Sequence, residues 1–304
     1  MGRPRALLTG RNGFTGRYVA LELEKAGYEV IGLATHLESD AAGSTVVANL
    51  LDRGAVAQAV ADAKADVVLH LAAVAFVAHG DVEEMYRVNV IGTRNLLEAL
   101  AGTRKQPGLV VLASSANVYG NADVDPITEH TPPAPANDYA VSKLAMEYMA
   151  KLWTDRLPIT ITRPFNYTGV GQTEQFLIPK IVGHFARRSD VIQLGNTDVV
   201  RDFSDVRDVA AAYVRILKSG SAGKTFNLCS GKGRSLAYVI REMAKISGHQ
   251  LRIEINPDFV RRGEVFRLVG SSSLVGELGQ RIHDLTETLT WMYQSAVKSL
   301  DHAD

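Results

Sequence analysis

A short apolar run, Ala6–Thr9, ends in Gly10-Arg11-Asn12-Gly13-Phe14-Thr15-Gly16 and passes directly into an amphipathic stretch of helix length, Thr15–Ala26. This strand–turn–helix unit constrains the fold more than any other feature of the chain. A strand that feeds a helix through so tight a turn opens a βαβ unit of the kind that joins parallel strands. The first half then repeats the alternation. Strand-like Glu29–Ala34, helical Val56–Ala63 and strand-like Val67–Leu71 are followed by a long helical stretch, Asp81–Ala101, stopped by Gly102. Strand-like Leu109–Ser114, helical Ala140–Trp153 and strand-like Ile159–Arg163 complete it. The strand candidates are continuous apolar runs, the pattern of strands covered on both faces. The order predicts an α/β fold with a central parallel sheet and helices on both sides.

The second half is less regular. Phe176–Arg187, Asp205–Ser219 and Ser235–Ser247 read as helices, Glu277–Val297 is apolar at helical spacing in its later part, and Thr225–Cys229 reads as a last strand of the main sheet. Gly120–Asn137 carries Pro126, Pro132, Pro133 and Pro135 and reads as a loop, either a lid or a surface connector. Composition narrows the function class. The 33 basic and 33 acidic residues cancel, against the basic excess of most nucleic-acid binders. Cys229 is the one cysteine of the 304 residues, so neither an intrachain disulfide nor a thiolate-rich metal site is expected. A single thiol suits a reducing compartment. The first apolar run stops at Gly10, too short for a signal peptide, and no stretch reaches membrane-spanning length. A soluble, cytoplasmic protein is the expectation.

The glycine turn also carries chemistry. Glycines at these positions bring backbone N–H groups against a pyrophosphate, and the helix start favours the anion. The spacing is GxxGxxG, a variant of the GxGxxG dinucleotide fingerprint. NAD sites place an acid about 20 residues on, against the ribose 2′-hydroxyl. Here the second strand ends Leu33-Ala34-Thr35-His36, and Glu38 comes late. Arg11, Arg17 and His36 could instead face a 2′-phosphate, which favours NADPH with NADH as the alternative. Tyr139 and Lys143 stand four apart at a helix start, on one face. An ammonium beside a phenol is expected to lower its pKa and let it exchange a proton near neutrality. Ser114-Ser115-Ala116-Asn117-Val118-Tyr119-Gly120 closes the preceding strand and offers a hydroxyl to the same substrate oxygen.

Together with His70-Leu71-Ala72-Ala73, Asn89 and Arg163-Pro164-Phe165-Asn166, these motifs resemble the extended short-chain dehydrogenases/reductases, the NAD-dependent epimerase/dehydratase family. The resemblance implies an NAD(P)-binding Rossmann domain (1–165 and 198–229) and a smaller, discontinuous nucleotide-sugar lobe (166–197 and 230–304). It implies Tyr139 as acid/base, Lys143 as its tuning partner and ribose ligand, and Ser115 as the hydroxyl that polarises the C4 oxygen, with Ser114 as the other candidate. Gly10, Asn12, Gly13, Phe14, Thr15, Gly16, Asn49, Leu50, Leu71, Ala72 and Ala73 would line the cofactor with Tyr139 and Lys143. Asn49 stands where the family has Asp. Relatives pair through helices corresponding to Glu84–Ala101 and Ala140–Trp153, which implies a homodimer.

Dehydratases of the family place a Glu before Val-Tyr-Gly, where this chain has Ala116 and Asn117, so dehydration is not expected. Several segments are similar to bacterial GDP-4-keto-6-deoxy-D-mannose reductases. They include Val74–Val77, Gly169–Gln172, Gly195-Asn196, Arg201–Val209, Asn227–Gly231 and Arg261–Glu264. That similarity implies NAD(P)H-dependent reduction of a GDP-4-keto sugar to a GDP-6-deoxyhexose such as GDP-D-rhamnose, for surface polysaccharide synthesis. Asn166, Arg201, Arg262 and Glu264 are its implied sugar-nucleotide ligands. A 4-epimerase with tightly held NAD is the alternative, and a non-catalytic NADPH sensor a remote one, since both Tyr139 and Lys143 are present. The C-terminal stretch lacks the family's Gly-Trp-x-Pro; Trp291 falls inside the last helical segment.

Overall fold

The computed structural model describes residues 2–36, 44–75, 81–259, 265–271, 276, 279 and 282–301. The strands of the main sheet are β1 (Arg5–Thr9), β2 (Glu29–Ala34), β3 (Ser44–Val47), β4 (Val67–His70), β5 (Leu109–Ala113), β6 (Ile159–Pro164) and, later in the chain, β10 (Thr225–Leu228). They form a seven-stranded sheet in the order β10-β6-β5-β4-β1-β2-β3. Every pairing in it is parallel. The chain leaves β1 toward β2 on one side and reaches β4 on the other, so the strand order reverses at β1/β4. In open α/β sheets, the carboxyl ends of strands at such a switch point form the ligand crevice.

Helices cover both faces. On one lie α2 (Arg53–Ala63), α4 (Thr93–Ala101) and α5 (Asp138–Lys151), whose Val60, Leu97 and Met146 share a core with Leu7, Val68 and Val110 of the sheet. On the other lie α1 (Phe14–Lys25) and α7 (Val206–Ser219), whose Leu23 and Tyr213 pack with Leu8 and Val111. The alternating side chains of each buried strand thus feed two cores.

The stretch Asp81–Ala101 is not one regular helix. α3 (Val82–Tyr86) is followed by a π-helical segment, Arg87–Gly92, before α4 resumes. Asn89 in this wide turn is 1% exposed. Its amide accepts from Val74 N and donates to Val74 O and Ser142 Oγ, so the distortion follows from a side chain clamped inward.

The remaining strands build smaller sheets: β7 (Asn166–Thr168), β9 (Val200–Asp205), β11 (Gly233–Ser235) and β13 (Arg267–Leu268) in one, β8 (Val191–Leu194) and β12 (Arg252–Ile255) in another. With them, α6 (Leu177–Ala186), α8 (Leu236–Ser247) and α9 (Leu285–Asp301) enclose a separate core of Ile181, Phe185, Ile192, Val239, Met243 and Leu289. The last helix takes up the later part of Glu277–Val297, where the helical spacing lies. It begins at Leu285, where Asp284 accepts the Thr286 N–H on its side chain. The proline-rich loop is held in place. Ile127, 1% exposed, exchanges backbone hydrogen bonds with Val269 and Ser271, and Ala134 N donates to Val118 O.

Candidate active site

At the switch point the backbone comes very close to itself. Gly10 has φ +71°, and a Cβ there would lie 2.9 Å from Ala72 N. A Cβ on Gly16 would lie 2.0 Å from Gly10 O, so the first turn of α1 can pack here only with glycine. Gly13 caps α1 without any side-chain acceptor, which leaves first-turn N–H donors for an incoming anion. The Asn12 Nδ2 beside it is buried and has no partner. Phe14 stacks on Tyr167 at 6.2 Å, and Thr15 Oγ1 meets Tyr167 Oη at 2.8 Å. An uncapped helix start, an unspent buried amide donor and two glycines with no room for a side chain fit a dinucleotide pyrophosphate.

The other cofactor-lining candidates surround this turn. Leu71 N donates to Thr9 O, and Ala72 N to Thr9 Oγ1 at 3.1 Å. Leu71, Ala72 and Ala73 continue half-buried from the end of β4. Asn49 is exposed just beyond β3, its Oδ1 accepting from Leu51 N. Leu50 is buried, and its carbonyl accepts from Asn95 Nδ2. Arg11, Arg17 and His36 turn to different partners. Arg17 Nε donates to Asn12 O, and His36 meets Thr35 Oγ1. Arg11 is 7% exposed and passes over Gly32, reaching the Ser44 carbonyl and Glu24.

The candidate catalytic side chains converge from α5 and the end of β5. Asn137 caps α5 by accepting the Ala140 N–H at 2.9 Å, which sets Tyr139 in the first turn and Lys143 one turn on. Lys143 is 4% exposed and donates to the Ala113 carbonyl at 2.8 Å. Burial lowers its pKa to about 8, with Glu147 acting in the other direction. Burial likewise drives His70 down to about 3; it sits neutral between the Thr9 and Thr93 hydroxyls, at 2.7 and 2.8 Å.

The phenol departs from expectation. Burial pushes the Tyr139 pKa up, the nearby Tyr167 adds to that, and the Ser115 hydroxyl pulls against it. The expected lowering by Lys143 does not dominate, because removing a phenolate from water outweighs the neighbours present. In this setting the Tyr139 phenol is held in its neutral form. Ser115 opens a 3₁₀ turn, Ala116–Tyr119, and its Oγ accepts from Asn117 N at 3.2 Å. That leaves the hydroxyl proton to give. The Ser114 hydroxyl is buried without a partner. A neutral phenol, a serine hydroxyl and a buried ammonium in one crevice can donate a proton to an oxygen anion and stabilise it.

The sugar-nucleotide candidates lie on the small sheets. Asn166 is exposed at the start of β7, paired in register with Phe203. Arg201 on β9 is half-buried, and its guanidinium donates to the Val200 and Phe266 carbonyls. Arg262 and Glu264 lie outside the described residues. One basic residue escaped the sequence reading. Arg234 on β11 stands directly opposite Arg201. Its guanidinium lies 4.6 Å over the Tyr238 ring, and its Nε is buried without a partner. Only the pairing of a strand too short to foresee puts the two arginines side by side.

A family model described as "NAD dependent epimerase/dehydratase family" matches residues 6–229. The GDP-6-deoxy-D-talose 4-dehydrogenase of Aggregatibacter actinomycetemcomitans is 33% identical over 97% of this chain and 99% of its own length. The GDP-6-deoxy-D-mannose reductase of Pseudomonas aeruginosa is 38% identical over 73% of this chain and 74% of its own. Among solved structures, a Burkholderia cenocepacia protein described as a candidate epimerase superposes with TM-score 0.92 at 49% identity, covering 98% of this chain and 100% of its own. The Pseudomonas aeruginosa protein RMD, solved with NADPH, gives 0.84 at 30% identity, covering 97% and 99%.

Proposed function

This chain belongs to the NAD dependent epimerase/dehydratase family, and from that premise we propose that it reduces the C4 ketone of GDP-4-keto-6-deoxy-D-mannose to a GDP-6-deoxyhexose. The coarser statement, a nicotinamide-dependent enzyme that modifies nucleotide sugars, follows from the family and its relatives. The finer one rests chiefly on one observation. Where a dehydratase needs a carboxylic acid beside the serine turn, this chain has Ala116, 1% exposed, and Asn117.

When bound, the nicotinamide supplies hydride. The residues present do the rest. The glycine turn and the α1 N-terminus hold the diphosphate. Ser115 gives its hydroxyl proton to the C4 oxygen as a hydrogen bond, and Tyr139 passes its phenolic proton to that oxygen as negative charge develops there. Lys143 stabilises the phenolate left behind. The balance is one ketone, one hydride and one proton to one secondary alcohol. Orientation and hydrogen bonds to the developing alkoxide supply the rate enhancement. On the lobe, Asn166, Arg201, Arg262 and Glu264 take the sugar nucleotide. Arg234 adds a second guanidinium beside Arg201, and two cations paired across strands are unfavourable unless an anion lies between them. NADPH is the preferred cofactor in this reading. We place the Rossmann domain at 1–165 and 198–229 and the lobe at 166–197 and 230–304, in a cytoplasmic homodimer serving polysaccharide synthesis. No helix among the described residues is long and apolar enough to cross a membrane.

The test is to mix the purified protein with enzymatically made GDP-4-keto-6-deoxy-D-mannose and follow NADPH and NADH absorbance. Stoichiometric oxidation supports the reductase, and NMR of the product gives its C4 configuration, rhamno or talo. The likeness to a candidate epimerase favours one second reading, a 4-epimerase. Stoichiometric NAD⁺ retained through purification, with no net oxidation, would establish it in place of the reductase.

A further inference from the structure

One turn beyond Lys143, the same face of α5 carries a second buried charge. Lys143 and Glu147 are each 4% exposed, and residues four apart on a helix are neighbours. A carboxylate so enclosed needs a full set of partners. Glu147 takes both arms of the Arg163 guanidinium, Nε to Oε1 at 2.9 Å and NH2 to Oε2 at 2.6 Å. The remaining arm, NH1, donates to Tyr119 Oη at 2.9 Å. Tyr119 Oη donates in turn to Asn227 Oδ1 at 2.7 Å, and Asn227 Nδ2 to the Ile127 carbonyl. Tyr119 and Asn227 are fully buried. Tyr119 closes the turn that Ser115 opens, and Arg163 lies on β6, between β5 and β10. The bonds therefore run from the helix of Tyr139 and Lys143, through β6, to the turn of Ser115. One buried guanidinium sets the position of both.

We propose that Glu147, clamped by Arg163, is a positioning residue. It holds α5 in register with the serine turn and keeps a negative charge one turn from Lys143, so that the lysine carries its proton at neutral pH. The inference rests on Tyr139, Ser115 and Lys143 being the catalytic set. The groups facing Lys143 leave this task to Glu147. From β4 comes His70, buried and uncharged; from β5 the Ala113 carbonyl; from its own helix the neutral Tyr139, which Ser115, Tyr167 and Tyr213 face in turn. The Arg163 charge on β6 is bound up with Glu147 itself.

Glu147→Gln keeps the shape and one acceptor for Arg163 while removing the charge. Its kcat–pH profile is expected to lose activity at the alkaline side about one unit earlier than wild type, with KM for the sugar nucleotide within about threefold. Glu147→Asp, which keeps the charge, is expected to restore the position of that limb. NADPH binding, read by its fluorescence over the same pH range, should show the same shift without any sugar present. A wild type that binds NADPH but turns over no GDP-4-keto sugar counts against the reductase reading alone. A Glu147→Gln enzyme that melts earlier and loses kcat equally at every pH, with both limbs in place, overturns the proposal and leaves a purely structural pair. Should that variant fail to fold, Arg163→Lys carries the test. It keeps both charges but gives up the two-armed bond, so kcat should fall with the alkaline limb unmoved; unchanged kcat overturns the positioning role.

Discussion

Around the seven-stranded sheet, His70 is held between two threonines, Asn89 between Val74 and Ser142, and Lys143 on a carbonyl. On the small sheets of the lobe, Arg201 and Arg234 stand opposite each other across β9 and β11, and an Arg234 nitrogen lies buried and unpaired. The sheet region satisfies these buried polar groups with its own side chains and backbone. The small sheets instead set two guanidiniums across one strand pair. In the reductase reading, proton transfer is set on the parallel sheet, and recognition on short strands whose partners come from distant parts of the chain.

Mutations can separate the two regions. The largest effect is expected at the phenol. Tyr139→Phe should lower kcat about thousandfold while NADPH binding, measured by fluorescence titration, stays near wild type. A kcat within a few-fold of wild type would remove Tyr139 from the mechanism. Next comes the lobe core. Leu289 is fully buried there and away from both sheet cores. Leu289→Ala should lower unfolding free energy by about 3 kcal/mol in urea titrations, yet leave NADPH affinity unchanged. A comparable loss of NADPH affinity would mean that the lobe and the sheet region are not energetically separate.

A pH effect in the sheet region comes from His70. His70 has a folded pKa of about 3 against an ordinary 6.5, so below 6.5 the unfolded chain binds the extra proton and the folded one does not. Stability should therefore be full above that value and fall by about 1.4 kcal/mol per pH unit as pH drops through the window toward 3, with other groups adding their own terms. Denaturant midpoints between pH 7 and 4.5 test this against His70→Asn, whose slope should be shallower. The smallest effect is expected at the recognition side. Arg201→Ala should raise KM for the sugar nucleotide about tenfold with kcat within a few-fold, and Arg234→Ala should do the same. Unchanged KM in both would move the diphosphate elsewhere.

The sheet was legible because its strands are continuous apolar runs and its turns carry glycines that nothing else can replace. Gly16, with no space for a Cβ, is the physical content of the motif seen in the sequence. β3 was missed because it is a short edge strand with a polar start, Ser44-Thr45. The π segment at Asn89 was missed because periodicity does not register a side chain that turns inward to clamp Val74. Tyr139 and Lys143 fall one turn apart on α5, as their spacing predicts, but the direction of the phenol's shift is not legible in the sequence. It depends on burial, which only the packed structure shows. The Glu147–Arg163 pair joins residues 16 apart in sequence, and the Arg201–Arg234 pairing needs the register of β11 on β9. No local pattern announces either.

The most direct test of the central claim follows a labelled hydride. NADPH carrying deuterium on the transferable position of its nicotinamide is incubated with the protein and GDP-4-keto-6-deoxy-D-mannose, and the sugar is examined by NMR. The account predicts one deuterium at C4 of a GDP-6-deoxyhexose for every NADPH oxidised. A sugar that changes configuration with no deuterium gained, and NADPH left intact, would contradict it.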